Sequence, residues 1–177
     1  MKYLSNKSDI SLIISLIIFL AIARLFPHPP NFVPFTASAL FFGKKFGYKN
    51  NILIIIAASF ISDIFLGFHS TTLFVYSAYI FIITYAKFAE SPSLLNRIST
   101  PLFGSTIFFI WTNLGVWLFS GMYENSITGL TNCFVLALPF WKNSLMSDYL
   151  FYFLFFGAEL LVFKFQQSKN LLNSQPS

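Results

Sequence analysis

Charged side chains are scarce in this chain. Only 10% of its 177 residues are Asp, Glu, Lys or Arg, against about 25% in soluble globular domains. In their place, 56% of the residues are hydrophobic and the mean hydropathy is +0.70. This composition indicates an integral membrane protein whose partner is the lipid bilayer. The eleven Lys and Arg residues are scattered between apolar segments, so we expect no nucleic-acid partner.

The residue patterns of catalysis and metal binding are also lacking. A single cysteine, Cys133, excludes an intramolecular disulfide and a cysteine-based zinc cluster. The sequence has no Ser-His-Asp order, no phosphate loop and no His-Glu-x-x-His motif. Asp63 and His69 have a spacing that matches no zinc motif. We therefore predict no enzymatic activity, no catalytic residue, no metal site and no cofactor.

The apolar segments that are present predict an all-α fold, a polytopic membrane helical bundle. Six of them are interpreted as transmembrane helices: residues 10–26, 35–46, 51–68, 71–89, 102–121 and 145–165. The second is short for a span. Residues 129–141 form another short apolar run, interrupted by Pro139, which we predict to be a re-entrant or interfacial helix. One domain, residues 1–169, precedes a disordered polar tail, residues 170–177.

Basic residues set the predicted orientation. With six spans and both termini in the cytoplasm, nine of the eleven Lys and Arg lie on the inner side, namely Lys2, Lys7, Lys44, Lys45, Lys49, Lys87, Arg97, Lys164 and Lys169. This distribution predicts a multi-pass protein of the bacterial inner membrane. An alternative reading takes the first apolar segment as a secretory signal that is cleaved after Ala23.

A proline-rich stretch interrupts the apolar segments early in the chain. Residues 24–34 contain four prolines, which restrict the backbone and remove amide donors, so they predict a stiff, non-helical connector. The stretch also carries Arg24, His28 and Asn31. Polar groups on rigid backbone just outside a membrane helix are candidates for ligand contact, although a simple helix break is the alternative.

On the predicted topology, most of the unusual polar residues fall near the outer face. We predict that the substrate-binding residues are Arg24, His28, Asn31, Asp63, His69, Asn113, Trp117, Asn143 and Asp148. Several have structural alternatives. Asp63 inside a span is costly unless it pairs, and Arg24 or Lys142 is the expected partner. Asn113 is expected to hydrogen-bond between helices, with Gly115 permitting close packing there.

Four motifs carry a resemblance to a known family: Arg24-Leu-Phe-Pro-His-Pro-Pro-Asn-Phe-Val-Pro34, Ser62-Asp-Ile-Phe-Leu-Gly-Phe-His69, Thr112-Asn-Leu-Gly-Val-Trp117 and Ala137-Leu-Pro-Phe-Trp-Lys-Asn143 with Asp148. They resemble an uncharacterised bacterial membrane-protein family that looks like the substrate-binding S components of energy-coupling factor transporters. The resemblance implies a vitamin-like ligand near the outer face and docking onto an energy-coupling membrane protein with ATPases. Cobalamin is among the implied ligands, with His28 or His69 as an axial ligand to cobalt.

Two functional hypotheses follow. The first is a membrane-embedded substrate-binding or transport subunit that captures a small vitamin-like molecule or cofactor precursor from the outer face. The second is a non-transporting inner-membrane scaffold or assembly protein, in which the polar residues only join helices. The first predicts a co-purifying small molecule, and the second predicts a partner protein and no ligand.

Overall fold

Six helices make up nearly all of the described chain. A computed structural model describes residues 7–89 and 93–173, and no strand occurs in these ranges. The helices are α1 (Lys7–Leu25), α2 (Phe35–Phe46), α3 (Tyr48–Leu66), α4 (Thr72–Phe88), α5 (Leu94–Phe119) and α6 (Ile127–Asn173). The predicted all-helical fold is confirmed.

Within the described residues, three helices are long and apolar enough to cross a membrane. They are α3, α5 and the Ile127–Ser168 part of α6. The apolar stretches Ile10–Leu25 of α1 and Thr72–Phe88 of α4 are shorter. These lengths and compositions support the membrane assignment.

The short helix α2 lies at the centre of the bundle. It packs against α3, α4, α5 and α6, and Phe35, Ala37 and Ala39 are fully buried. Its 12 residues extend only about 18 Å, well below the roughly 30 Å of a bilayer hydrocarbon core. The bounds of this segment were predicted correctly. Its short length and apolar sequence fit an internal helix that neighbouring helices cover.

The chain turns alternately at two ends of the bundle. Residues 26–34, 67–71 and 120–126 connect helices at one end, which we call the cavity end. Gly47, Ala89 at the end of α4 and Ser93 at the start of α5 lie at the opposite end. Gly47 alone separates α2 from α3 and has φ of 80°, a conformation that glycine adopts without strain. The expected turn between the third and fourth segments is present as residues 67–71.

The seventh, re-entrant piece predicted for residues 129–141 is wrong, because these residues are the first part of α6. Pro139 and the polar pair Lys142–Asn143 lie inside this 47-residue helix, which is about 70 Å long. Buried side chains continue at helical spacing across the proline, as Cys133 and Ala137 before it and Ser144 and Asp148 after it. Packing of this stripe against the bundle offsets the backbone donor that Pro139 lacks.

Helix α5 also begins earlier than predicted. It starts at Leu94, where the Ser93 hydroxyl accepts a hydrogen bond of 3.2 Å from the Asn96 amide, and it continues through Pro101. The stretch between the fourth and fifth predicted spans, residues 90–101, is therefore helical from Leu94 onward. Its residues 90–92 lie outside the described residues. Of the predicted tail, residues 170–173 continue α6, and 174–177 lie outside the described residues.

Candidate ligand cavity

A cavity of about 670 Å³ opens at the cavity end. All three connections at this end contribute to its wall, together with α1, α2, α4, α5 and α6. Its lining comprises Arg24, His28, Pro30, Asn31, Val33, Thr36, His69, Thr71, Val75, Tyr79, Phe108, Thr112, Asn113, Val116, Met122, Tyr123, Cys133, Leu136, Ala137, Phe140 and Ser144. Most of these side chains are apolar or aromatic, and the polar ones are distributed among them.

The proline-rich connector forms one side of the cavity mouth. Its predicted non-helical conformation is confirmed over residues 26–34, whereas Arg24 and Leu25 are the last residues of α1. The Phe32 amide donates to the Pro29 carbonyl at 2.9 Å, and Asn31 between them has φ of 62°. A type II turn needs a positive φ at its third position, where Asn is tolerated, and Pro30 favours the second position. Asn31 thus shapes the turn as well as lining the cavity.

Side chains of α6 hold the connector in place. The Asn143 amide donates to the Pro30 carbonyl at 3.1 Å, and the Ser147 hydroxyl donates to the Val33 carbonyl at 2.9 Å. The two side chains are four residues apart and so lie on one face of the helix. Asn143 is not among the residues that line the cavity. It acts on the site by fixing the backbone of the mouth.

Asp148 anchors the first turn of α2 to α6. Its side chain is 1% exposed, and its carboxylate accepts hydrogen bonds from the Ser105 hydroxyl and the Ala37 backbone amide. The first amides of a helix lack intrahelical acceptors and carry partial positive charge, so a carboxylate satisfies them well. Asp148 does not line the cavity either. It supports the floor, where α2 begins.

Arg24 and Asp63 form the expected ion pair. Arg24 Nη2 lies 2.7 Å from Asp63 Oδ1, and Arg24 Nη1 donates to the Ser62 hydroxyl at 2.9 Å. The Tyr76 hydroxyl donates to Asp63 Oδ2 at 2.7 Å. Asp63 is buried and lies outside the lining, whereas Arg24 reaches the cavity. The carboxylate therefore holds the guanidinium at the edge of the cavity.

Both histidines line the exposed mouth. His28 places its two ring nitrogens near carbonyl oxygens, Nδ1 at 2.8 Å from Pro29 O and Nε2 at 3.1 Å from Arg24 O. His69 Nδ1 lies 2.8 Å from the Thr71 hydroxyl. No hydrogen bond joins His69 Nε2 to any residue in the described ranges. His69 thus has a ring nitrogen available to a ligand, while His28 is engaged with its own connector.

Asn113 and Trp117 differ in their placement. Asn113 lines the cavity, but its amide donates to the Phe109 carbonyl of its own helix at 2.8 Å, so the expected side-chain hydrogen bond between helices is wrong. The Asn113 backbone carbonyl accepts a hydrogen bond from Cys133 Sγ on α6, at 3.5 Å. Trp117 is outside the lining, and its indole donates to the Glu124 carbonyl at 3.0 Å. Trp117 therefore fixes the 120–126 connection.

The floor of the cavity contains residues that the sequence analysis did not select. Tyr79 of α4 and Thr36 of α2 line it at 2% and 6% exposure. Phe108 lies against Tyr79, with ring centroids 5.3 Å apart. These side chains occur within apolar segments that read as helix core, and nothing in their spacing marks them. Only the assembled bundle brings them to one cavity.

The nine predicted site residues thus divide into two groups. Five line the cavity: Arg24, His28, Asn31, His69 and Asn113. The other four lie behind the lining and hold it in place: Asp63, Trp117, Asn143 and Asp148. Among the described residues, no group of three or more His, Cys, Asp or Glu side chains is placed to hold a metal ion.

No curated protein and no solved structure matches the chain. A family described as a family of unknown function, DUF6580, matches residues 4–171, nearly the whole sequence. The match agrees with the predicted membership of an uncharacterised family. The chain belongs to this family of unknown function.

Proposed function

We propose that the protein is a membrane-embedded substrate-binding subunit that captures a small molecule at the cavity end. The observation that carries this proposal is the cavity of about 670 Å³, whose wall includes all three connections at that end. Ligand pockets commonly measure about 300–1,000 Å³ and combine apolar walls with a few polar groups. A bundle that needed only helix packing would fill such a space with side chains.

The distribution of basic residues supports an outward-facing opening. Four basic residues occur near the opposite end of the bundle: Lys45, Lys49, Lys87 and Arg97. Lys164 lies in the part of α6 that extends towards the same end. Arg24 and Lys142 occur towards the cavity end. Since cytoplasmic loops of membrane proteins are enriched in Lys and Arg, we propose cytoplasmic termini, six passes and a location in the bacterial inner membrane.

The resemblance to S components of energy-coupling factor transporters gives the proposal a more specific form. On that analogy the ligand is vitamin-like, and an energy-coupling membrane protein with ATPases drives its uptake. Of the two histidines that the resemblance offers as a metal ligand, the exposed His69 has Nε2 without a partner among the described residues, whereas both ring nitrogens of His28 lie near carbonyl oxygens of its own connector. A ligand at the mouth of the cavity would contact the rings of both His28 and His69.

A second candidate function is the non-transporting scaffold. It is favoured by the structural use of the predicted site residues, because Asp63, Asn143 and Asp148 all bond to other parts of the chain. In this case the cavity end would bind a protein partner. Small-molecule binding would be absent.

Ligand release distinguishes the two proposals. The protein is purified in mild detergent and denatured, and small molecules released from it are identified by mass spectrometry. Capture predicts one compound at near-stoichiometric amount. Ala137→Trp should abolish this release. Ala137 is buried in the cavity lining, so the larger side chain would occupy the space that the ligand needs.

Leu138→Trp is the matched control. Leu138 is the next residue of α6 and is 46% exposed, so the same bulk there points away from the cavity. The amount of small molecule released from Leu138→Trp should equal the amount released from the wild type. Release that is unaffected by Ala137→Trp would contradict binding in this cavity, and a wild-type protein that releases nothing but retains a protein partner would favour the scaffold.

A further inference from the structure

The charges around the cavity are balanced without a ligand. Among the described lining residues, Arg24 is the one Lys, Arg, Asp or Glu side chain. Its guanidinium is engaged by Asp63 and Ser62. An anionic ligand would have to compete with Asp63 for this cation, and a cationic ligand would find no carboxylate in the lining.

The helix end beneath the cavity also has a partner within the chain. The positive N-terminus of α2 lies at the floor, where it would otherwise attract an anion. Asp148 already accepts the Ala37 amide in this first turn. The Ala37 amide is therefore already occupied and is not available to an anionic group of a ligand.

The floor does contain hydroxyl groups without partners. Tyr79 and Thr36 line the cavity and are more than nine-tenths buried, and neither hydroxyl has a hydrogen bond to any residue in the described ranges. The Tyr79 ring is held between Phe35 and Phe108, at centroid distances of 5.6 and 5.3 Å. Buried hydroxyls are usually paired, so an unpaired one facing a cavity indicates a group that a ligand satisfies.

From these observations we infer that the captured molecule is uncharged and presents a carbonyl, amide or hydroxyl group to Tyr79 and Thr36 at the floor. This inference rests on the proposed function and specifies its substrate class. Phe108, which lies against Tyr79, and Phe140 also line the cavity and provide apolar walls for a flat, uncharged ring. The histidines at the mouth contact the part of the ligand nearer to solvent.

Three probes with one ring system and different charge test this inference. Quinoline-3-carboxamide, quinoline-3-carboxylate and 3-carbamoyl-1-methylquinolinium are each equilibrated by dialysis against the detergent-purified protein stripped of bound compounds. The uncharged carboxamide should bind at least about tenfold more tightly than either ion, since transfer of an unpaired charge from water is unfavourable. Tighter binding of either ion, or no binding of the carboxamide up to its solubility limit, would overturn the inference.

Tyr79→Phe tests the hydroxyl while keeping the ring. It should weaken carboxamide binding by about 5–30-fold, the equivalent of one hydrogen bond in a buried site. Its melting temperature should equal or exceed that of the wild type, because the removed hydroxyl has no protein partner. Unchanged affinity in a folded Tyr79→Phe protein would overturn the assignment.

Tyr85→Phe is the control, because the Tyr85 hydroxyl bonds to the Thr100 side chain and Tyr85 is outside the lining. It should lower the melting temperature and leave carboxamide binding within twofold of the wild type. The compound released from the denatured wild-type protein separates the two proposals. An uncharged compound supports both, whereas a compound ionised at pH 7 overturns this inference and leaves capture intact.

Discussion

Arg24 serves the bundle and the cavity at once. Its guanidinium binds Asp63 and Ser62 of α3, yet the side chain is 17% exposed and reaches the lining. The pair was predictable from sequence, because a carboxylate within an apolar segment needs a cation and few are available. The unpaired Tyr79 hydroxyl was not predictable, because tyrosine in an apolar helix gives no sign of whether its hydroxyl finds a partner.

The ion pair makes a prediction for single and double substitutions. Arg24→Met should destabilise the protein by about 3–5 kcal/mol, because it leaves the buried Asp63 carboxylate without its cation. Adding Asp63→Asn should recover part of that loss, since the amide carries no charge. Equilibrium unfolding in mixed micelles measures both variants. An Arg24→Met protein as stable as the wild type would contradict a structural role for the pair.

At the scale of helices, the sequence was informative about where apolar segments lie and less so about how they join. The bounds of α2 were predicted in full, because proline at one end and glycine at the other delimit it. Helix α6 was divided in error at Pro139 and Lys142–Asn143. In the sequence alone, a proline followed by two polar residues indicates the end of a helix. The structure explains the polar residues here, because Asn143 hydrogen-bonds to the Pro30 carbonyl of the connector.

Asp148 should contribute strongly to the attachment of α2. Asp148→Ala removes the acceptor of the Ala37 amide and of the Ser105 hydroxyl. The free energy of unfolding should therefore fall by about 2–4 kcal/mol. Asp148→Asn keeps one acceptor oxygen and should lose less. The same micelle unfolding experiment ranks the two variants. Equal stability of Asp148→Ala and the wild type would exclude this anchoring role.

Gly115 allows α5 to approach α4, as its place beside Asn113 predicted. A methyl group at Gly115 would lie 2.8 Å from Phe74 Cβ and overlap the ring. Gly115→Ala should therefore lower stability by about 1–3 kcal/mol. Gly157→Ala in α6, where nothing lies within 4 Å of the added methyl, should be neutral or stabilising by about 0.5–1 kcal/mol. Thermal unfolding compares the pair, and equal effects would argue against close packing at Gly115.

At the scale of the whole molecule, three connections that are far apart in sequence form one site. Residues 26–34, 67–71 and 120–126 all contribute to the cavity, with the helix ends that flank them. The location of the polar residues at one end was predictable from the sequence, because successive helices run in opposite directions. The sequence could not separate the five residues that line the cavity from the four that support it, since that depends on side-chain partners across helices.

The most direct test of this account is hydrogen–deuterium exchange of the ligand-stripped protein, with and without the small-molecule fraction released from the wild type. Binding in the cavity predicts slower exchange in residues 26–34, 67–71 and 120–126 together. Exchange near Gly47, at the opposite end, should not change. Protection confined to that opposite end, or no protection at the three connections, would contradict the claim that the cavity end captures a small molecule.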